Sequence, residues 1–358
     1  MKKICFLAFN FNIIGGAQKM TVSVANKLCA NYEVHLLVVC KFDKTENYLI
    51  NKNIKIKSLG MDENCRARDS LFHSSFKIKD YINKNKINIL IVSGSLGIPS
   101  VFFIKPFLKC KIIFWDHESL RGRDWKSVFF RKMACILSNK ILVITQETFK
   151  DYYTKIPKSR DKLIQIYNFL ESTKSNHKYN PDTKMIISVG RISYEKGFHL
   201  AVEVAKIIFK KHPDWSWHIY GEGEQKHKIE QLIKEKGLEN NLILKGKYKD
   251  VYNVYNKYSI FVMPSLREGF SLALLEAKVN KLPSVSFNCP AGPSEILKNS
   301  FDGFLIECYN TLKMAEKVNY LIENRDKRIE FSENCRLNLE SFEYSYVIFR
   351  WNAVLEIL

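Results

Sequence analysis

One pattern limits what this chain can fold into. Short, continuous apolar segments rich in β-branched residues alternate with amphipathic helical stretches. In the first half these apolar segments are 4–9, 34–39, 87–92, 112–115 and 141–144. A strand that is apolar at every position is buried on both faces, which is typical of a parallel sheet covered by helices. The first half is therefore predicted to be a doubly wound α/β domain.

The alternation stops near the middle of the chain and then restarts. The polar segment 171–183 has no hydrophobic periodicity and holds one proline, which is typical of a linker. We therefore expect two doubly wound domains, 1–170 and 184–342, and a terminal amphipathic helix over 343–358. Two such domains that face each other would bind a ligand at the carboxyl ends of their strands. The apolar segments of the second half are 185–190, 217–221, 242–246, 260–264 and 283–287.

The charge of the chain is concentrated in its first half. The sequence has 56 Lys and Arg against 37 Asp and Glu, a net charge of +19, and residues 1–180 carry +17 of it. Such an excess favours a polyanionic partner. The segment 120–132 interleaves five basic residues with Trp125, Phe129 and Phe130, which suits an anionic membrane surface. It also fits an ordinary amphipathic helix with its aromatic side chains in the core. No nucleic-acid-binding motif accompanies the basicity, so we expect no nucleic-acid partner.

The N-terminus, the hydropathy and the cysteines predict a cytoplasmic protein. The first apolar segment ends at Asn10 without a small-residue cleavage site, so we interpret it as a strand and not as a secretory signal. The longest uncharged run, 87–104, is broken by polar residues, glycines and a proline, so it is not expected to span a membrane. Nine scattered cysteines and eight histidines form no ligand pattern, which predicts neither a disulfide framework nor a metal site.

Two glutamates eight residues apart, Glu268 and Glu276, flank the predicted start of a helix that follows a strand. Ser271 is the predicted N-cap, so backbone N–H groups near Phe270 to Leu272 would be available to a phosphate. One carboxylate would then meet a ribose diol and the other a sugar hydroxyl. The alternative, two solvated surface glutamates, is disfavoured by the apolar residues around them.

Three more segments place polar groups directly after predicted strands. Arg191 and Lys196 follow Gly190, and together they would hold a diphosphate through a guanidinium fork and a point charge. Gly16 opens a helix where backbone could approach a phosphate closely, although a structural turn explains the glycine equally well. His117 would donate a hydrogen bond to a substrate hydroxyl, or else it is a satisfied structural histidine.

Taken together, the segments GGAQ, SVGRISYEKG, MPSLREGFSLALLEA and GPSEILKNSFDGFLI resemble glycosyltransferase family 4, also called the group 1 glycosyltransferases. The resemblance implies the GT-B fold, in which two Rossmann-like domains face each other and a final helix crosses back onto the first domain. It also implies a retaining reaction with a nucleotide-sugar co-substrate, expected here to be a UDP-sugar, and no metal or other cofactor.

The resemblance also assigns roles to the residues singled out above. Arg191 and Lys196 would hold the donor diphosphate, Glu276 the ribose, and Glu268 the donor hexose. His117 would contact the donor sugar and complete the catalytic set. The remaining donor-binding positions implied are Gly16, Gly190, Phe270, Ser271 and Leu272.

The predicted function is transfer of a hexose or N-acetylhexosamine to a lipid-linked or polysaccharide acceptor in bacterial envelope glycan synthesis. The basic first domain is expected to bind the acceptor and to attach peripherally to the inner face of the cytoplasmic membrane. Two alternatives stay open. One is a non-catalytic GT-B scaffold of a polysaccharide assembly complex, and the other is a sugar-nucleotide epimerase.

Overall fold

The computed structural model describes residues 1–12, 15–42, 48–62, 67–121, 125–171, 178–247 and 251–358, with the backbone alone for 67–73 and 251–253. The chain divides into two compact units. Unit 1 is Met1–Glu171 together with Tyr344–Leu358, and unit 2 is Ser172–Glu343. Residues 172–177 of the predicted linker and residues 122–124 of the basic segment lie outside the described residues.

Unit 1 is built on a seven-stranded sheet in the order β3-β2-β1-β4-β5-β6-β7, with every neighbouring pair parallel. Its strands are β1 Lys3–Ala8, β2 Glu33–Cys40, β3 Lys55–Met61, β4 Ile89–Ser93, β5 Lys111–Asp116, β6 Lys140–Val143 and β7 Leu163–Gln165. Its helices are α1 Gly16–Leu28, α2 Ala67–Lys84, α3 Ile98–Ile104, α4 Trp125–Leu137, α5 Gln146–Lys155 and, later in the chain, α12 Tyr344–Glu356.

Unit 2 repeats the plan with a six-stranded parallel sheet in the order β10-β9-β8-β11-β12-β13. Its strands are β8 Met185–Val189, β9 Ser216–Tyr220, β10 Leu242–Gly246, β11 Ile260–Met263, β12 Ser284–Phe287 and β13 Gly303–Ile306. Its helices are α6 Phe198–Lys211, α7 Lys226–Glu235, α8 Leu272–Val279, α9 Pro293–Ile296, α10 Thr311–Glu323 and α11 Arg325–Asn334.

The apolar segments become central strands because both of their faces are covered. From Ile4 to Leu7 the side chains of β1 have no exposed surface. In each unit the strand order reverses beside the first strand, between β1 and β4 in unit 1 and between β8 and β11 in unit 2. Loops diverge at such a switch point, so a ligand-sized space opens at the carboxyl ends of the strands there.

The last helix, α12, belongs to unit 1. The ring of Trp351 lies 4.8 Å from that of Trp115 and 6.3 Å from that of Phe6, measured between ring centroids. Lys2 Nζ donates to Leu355 O at 2.8 Å. The helix α12 therefore packs against the first and fifth strands of unit 1 and bonds to a residue just before β1.

Candidate functional site

The unit 2 site centres on an ion pair between Lys196 and Glu268. Lys196 Nζ lies 2.7 Å from both carboxylate oxygens of Glu268, whose side chain is only 7% exposed. Lys196 ends the turn after β8, and Glu268 lies on the loop between β11 and α8. The structure thus brings together two residues that are 72 positions apart, and it shows that Glu268 is not a solvated surface residue.

The turn that carries Lys196 is fixed against the loop that carries Glu268. Glu195 O accepts from the N–H groups of Leu266 and Arg267, at 2.8 and 3.3 Å. Gly197 has a φ of 67°, and a Cβ atom there would overlap Pro264 O, so only glycine allows this approach. A Cβ atom at Gly190 would lie 3.7 Å from the Lys196 side chain, an ordinary contact distance.

Arg191 lies on the same turn but is held differently. Its Nη2 donates to Glu224 Oε2 at 3.1 Å, and both side chains are about half exposed, at 53% and 52%. An exposed pair of this kind contributes at most about 1 kcal/mol, so the guanidinium is easily drawn away by a stronger anion. Arg191 therefore remains available to a ligand, in contrast to the more enclosed Lys196.

The start of α8 places backbone donors directly after Glu268. Phe270 is buried with its ring 5.7 Å from that of Phe342, and Ser271 occupies the N-cap position before Leu272. The Ser271 side chain does not cap the helix, contrary to the prediction. Its φ is 74°, a left-handed conformation in which Oγ makes no capping bond to the first turn. Oγ is buried, and no described residue gives it a hydrogen-bond partner. The first N–H groups of any helix have no partner within that helix, so Leu272 begins a site suited to an anion.

Glu276 lies within α8 and is 5% exposed. Its Oε2 accepts a hydrogen bond of 3.0 Å from the hydroxyl of Tyr255. This burial rules out the surface interpretation for the second glutamate too. Sequence reasoning missed Tyr255, which has no motif around it and is brought to Glu276 only by the fold.

Unit 1 holds a cavity of about 500 Å³ at the carboxyl ends of β1, β4 and β5. Ala17 and Gln18, the residues after Gly16 in the first turn of α1, form part of its wall. Gly16 is thus the first residue of a helix whose N-terminus meets a cavity. The polar residues that line the cavity are Asn10, Gln18, Thr21, Ser93, Ser95, His117, Glu118, Lys126 and Ser127.

His117 lines this cavity but is itself buried, with its ring 4.2 Å from that of Trp115. Thr21 Oγ1 donates to Ala17 O at 2.8 Å, so in the 2.8 Å bond between Thr21 and Ser93 the proton belongs to Ser93. The 2.9 Å bond between Ser93 Oγ and His117 Nε2 must then be donated by the histidine. The N–H that we expected to meet a substrate is therefore bonded to Ser93.

The other ring nitrogen, His117 Nδ1, is buried and has no hydrogen-bond partner among the residues that the structure describes. Burial lowers the pKa of His117 to about 4, although the carboxylate of Asp116 raises it in part. The imidazole is therefore neutral near pH 7. His117 is therefore a buried residue of the cavity wall with Nε2 bonded to Ser93, and its contact with a donor sugar stays a prediction.

Comparison with known proteins adds to this geometry. Residues 171–338 match the family described as Glycosyl transferases group 1. The chain is 27% identical to an uncharacterized glycosyltransferase of Haemophilus influenzae, over 99% of this chain and 100% of that one. It is 22% identical to an N-acetyl-D-galactosaminyltransferase of Campylobacter jejuni whose name includes a PP-undecaprenol-linked glycan, over 98% of this chain and 97% of that one.

Residues 171–338 thus match the group 1 glycosyltransferase family, and the relatives that align over almost the whole chain are bacterial glycosyltransferases. Among solved structures, TarM of Staphylococcus aureus superposes with a TM-score of 0.86 over 99% of both chains, at 18% sequence identity. That likeness confirms the predicted GT-B fold class. The TarM crystals contained fondaparinux, alpha-GlcNAc-glycerol and UDP.

One buried arginine organises the unit 1 cavity of this glycosyltransferase. Arg131 has no exposed surface, and it pairs with Asp116 through Nε to Oδ2 at 2.6 Å and Nη2 to Oδ1 at 3.0 Å. The same guanidinium donates to Glu118 Oε2 at 2.9 Å and to the backbone oxygen of Ser127 at 3.2 Å. It also bonds the Ser127 hydroxyl. This network could not be predicted from the sequence, because its members lie up to 15 positions apart and come from more than one element.

The aromatic residues of the basic segment are not in the core of the glycosyltransferase. Trp125 is 74% exposed and Phe129 is 51% exposed, while Phe130 is half-buried at the wall of the cavity. The interpretation of 120–132 as a helix with its aromatic residues inside is therefore wrong for these positions.

The described residues contain neither a candidate membrane-spanning helix nor a candidate metal site. Among them no helix is both long and apolar enough to cross a membrane. In the same residues no three His, Cys, Asp or Glu side chains are grouped so that they could hold a metal ion.

Proposed function

We propose that this protein is a retaining, metal-independent glycosyltransferase that moves a hexose or N-acetylhexosamine from a UDP-sugar to a lipid-linked or polysaccharide acceptor of the bacterial envelope. The observation that carries the proposal is the Lys196–Glu268 pair beside the N-terminus of α8. A cation and a helix N-terminus are the two groups that best stabilise a departing diphosphate. Arg191 supplies a second cation on the same turn, so the charge needed for donor cleavage is present on protein side chains.

The two glutamates fit the rest of a nucleotide-sugar. Both are buried, and a buried carboxylate that is already hydrogen-bonded is well suited to accept further bonds from hydroxyl groups. We assign the ribose to Glu276 and the donor hexose to Glu268. UDP as the nucleotide is supported by the TarM complex, which contained it.

The unit 1 cavity supports a sugar ligand. Among the residues that the structure describes, its lining combines amide, hydroxyl and imidazole groups with one lysine and one carboxylate, a set suited to sugar hydroxyls. A lipid-linked acceptor is supported by the name of the Campylobacter jejuni relative. We propose that this cavity receives the acceptor glycan and brings His117 close to the transferred sugar.

An exposed face of α3 and α4 supports attachment to an anionic lipid surface. The two helices pack against each other, and both expose large apolar side chains next to lysines. Aromatic rings that enter the headgroup region together with lysines that meet anionic lipid are the usual features of a peripheral membrane surface. We call the following residues the α3–α4 face: Phe102, Phe103, Phe107, Lys109, Trp125, Lys126, Phe129, Lys132 and Ile136. This face would place the protein on the cytoplasmic side of the membrane.

The donor assignment is tested by thermal unfolding with UDP, GDP, ADP or NAD in the presence of a chelator. A ligand at about 100 times its dissociation constant stabilises by about 2.7 kcal/mol, which moves the midpoint visibly. We expect a shift with UDP alone. A shift only when divalent metal is restored would contradict metal independence. A shift only with NAD would contradict the transferase proposal, and no shift with any nucleotide would favour the scaffold.

The reaction is tested by mass spectrometry and 1H NMR of UDP-sugars incubated with lipid-linked acceptors, because anomers and epimers have the same mass and only NMR distinguishes them. We expect a heavier acceptor, free UDP, and retention of the anomeric configuration. Isomerised donor without transfer would point to the epimerase instead.

The membrane assignment is tested by co-sedimentation with vesicles that contain anionic phospholipid, at low and high salt. We expect binding that weakens with salt and that Trp125→Ala reduces. Leu312→Ala is the matched control because Leu312 is 73% exposed in unit 2, outside the α3–α4 face. Equal binding to neutral and anionic vesicles would contradict the proposal.

A further inference from the structure

Arg131 forms hydrogen bonds with residues in two segments of the wall of the unit 1 cavity. The exit loop of β5 supplies His117 and Glu118 to the cavity, and the first turn of α4 supplies Ser127. Arg131 bonds the carboxylate of Glu118 and both oxygens of Ser127. It also forks onto Asp116, the residue immediately before His117. A single guanidinium thus fixes both walls.

Asp116 accepts hydrogen bonds from Arg131 and from two further groups. Beyond the two bonds from Arg131, it accepts the hydroxyl of Tyr152 at 2.6 Å and the N–H of Glu118 at 3.2 Å. Four donors on one buried carboxylate leave it little freedom to rotate. The backbone on either side of His117 is therefore fixed.

A buried ion pair is a poor way to gain stability, because desolvation offsets most of the attraction and a well-packed apolar pair often does as well. An apolar pair would not fix the orientation of the Glu118 carboxylate or the position of Ser127 in the cavity wall. What the arginine adds is geometry, since its five N–H groups are set in a rigid plane.

We propose that Arg131 is a positioning residue for the transferase reaction: it fixes His117, Glu118 and Ser127 in the cavity wall so that a bound sugar is held in a reactive orientation. This inference rests on the proposed function, because it takes the cavity to be a sugar site. A misplacement of about 1 Å in such a site can lower a rate about a hundredfold.

The test compares Arg131→Lys with Arg328→Lys. Lysine keeps the charge but loses the planar fork. Arg328 is the matched control, a buried arginine of unit 2 that donates to the backbone oxygens of Leu321, Ile322 and Pro181. We expect Arg131→Lys to lower kcat about tenfold to a hundredfold, with an unchanged UDP-induced shift of the unfolding midpoint. Arg328→Lys should change kcat less than about threefold at a comparable loss of stability. Equal losses of kcat in the two variants would overturn the proposal.

A second readout does not depend on activity. In protein labelled with 15N-histidine, the His117 ring signals are identified by their loss in His117→Gln. We expect Arg131→Lys to shift or broaden these signals and Arg328→Lys to leave them in place. If the wild type transfers no sugar but the signals respond in this way, the positioning role stands and the proposed function fails. Unchanged signals would overturn the positioning role whatever the activity.

Where Arg131→Lys does not fold, Tyr152→Phe carries the test. It removes one of the four donors to Asp116 and leaves the ion pair intact. We expect a loss in kcat of about threefold to tenfold with a perturbed His117 signal. Wild-type kcat together with an unperturbed signal would overturn the proposal.

Discussion

Lys196 has its charge matched by a buried carboxylate, and a diphosphate bound beside it would compete for the same ammonium group. Glu268 then gains freedom to accept a sugar hydroxyl as the lysine turns to the phosphate. In the proposed donor complex, this contact of 2.7 Å would link the group that holds the diphosphate to the group that holds the sugar. At the residue scale we therefore expect substitutions in this pair to lower the activity more than other substitutions in the unit 2 site.

We predict that Lys196→Ala lowers the rate of UDP release at least about a hundredfold, because the leaving group loses its most enclosed cation. The substitution also leaves the Glu268 carboxylate buried and unpaired, so a modest loss of stability should accompany it. The measurement is UDP release from a UDP-sugar under saturating donor. Lys184→Ala, which removes a lysine paired with Asp214 on the surface of the same unit, should keep the wild-type rate. Equal rates in the two variants would remove Lys196 from the site.

The neutral state of His117 makes stability depend on pH. Its pKa is about 4 in the folded protein because of burial, and about 6.5 is expected in the unfolded chain. Between these values the unfolded chain binds more protons, so the free energy of unfolding falls as the pH is lowered from 7 towards 4. At pH 5 the loss from this one residue is about 2 kcal/mol.

Urea unfolding at pH 7 and pH 5 measures this loss. We predict that His117→Asn reduces the difference in stability between the two pH values by about 2 kcal/mol. His218 has its pKa lowered to about 4 by burial as well, so His218→Asn should act in the same direction and serve as a positive control. A pH dependence that His117→Asn leaves unchanged would show that the ring titrates normally.

The charged residues of the unit 2 site could be predicted from the sequence, whereas the buried charged residues next to the unit 1 cavity could not. Lys196, Glu268 and Glu276 stand directly after or within elements that the apolar pattern locates, so their place at the strand ends follows from topology. Arg131 lies in the middle of a helix of mixed polarity, where a charge is usually solvated. Only the packing of α4 against β5 shows that it is buried.

At the scale of elements, the start of α8 combines strain with an unsatisfied hydroxyl. Ser271 adopts a left-handed conformation that costs a non-glycine residue about 1 kcal/mol, and its buried Oγ has no hydrogen-bond partner within the described parts of the chain. A Cβ atom at Gly292 would lie 2.6 Å from Phe270 O, so the neighbouring loop packs directly against this strained turn. Backbone strain of this kind is concentrated at ligand-binding and catalytic sites, where the surrounding structure holds a residue in an unfavourable conformation.

We predict that Ser271→Gly raises the free energy of unfolding by about 1 kcal/mol relative to Ser271→Ala, since both variants remove the hydroxyl but only glycine relieves the backbone. Both should weaken UDP binding to the same extent if Oγ contacts the diphosphate. Urea denaturation and UDP titration of the two variants measure the two effects separately. A glycine variant no more stable than the alanine variant would contradict the strain.

The observed limits of the strands located from the sequence agree with the prediction within about two residues. Most of these strands are buried on both faces, although the edge strand β10 is only partly buried. Three strands were missed. β3 is an edge strand whose side chains are mostly exposed, so it has no apolar run, while β7 has only three residues and β13 only four. The turn between β8 and α6 was predicted because glycine and charge follow an apolar strand there. The contact of that turn with the loop before α8 could not be predicted, because hydrogen bonds between backbone groups do not depend on residue type.

At the scale of the whole molecule, the first unit is assembled from two distant parts of the chain. Trp351 of α12 has 1% of its surface exposed, and its ring packs against rings from β1 and β5. Arg350 Nη2 donates to Gln165 O at 3.0 Å, which adds a polar contact near the end of the sheet. The amphipathic pattern of the tail predicted a helix but did not identify the surface that it covers.

This arrangement makes the stability of unit 1 depend on residues that follow unit 2 in the sequence. We predict that Trp351→Ala lowers the stability of unit 1 by about 3 to 5 kcal/mol, the usual cost of removing a large aromatic side chain from a core. Hydrogen exchange measured by mass spectrometry should show faster exchange in peptides from β1 and β5, with little change in those from β8 and β11. Trp217→Ala is the reciprocal control, because Trp217 is fully buried in unit 2 and should give the opposite pattern. If both variants speed exchange equally in both units, the two units unfold together, and the C-terminal helix stabilises the chain as a whole.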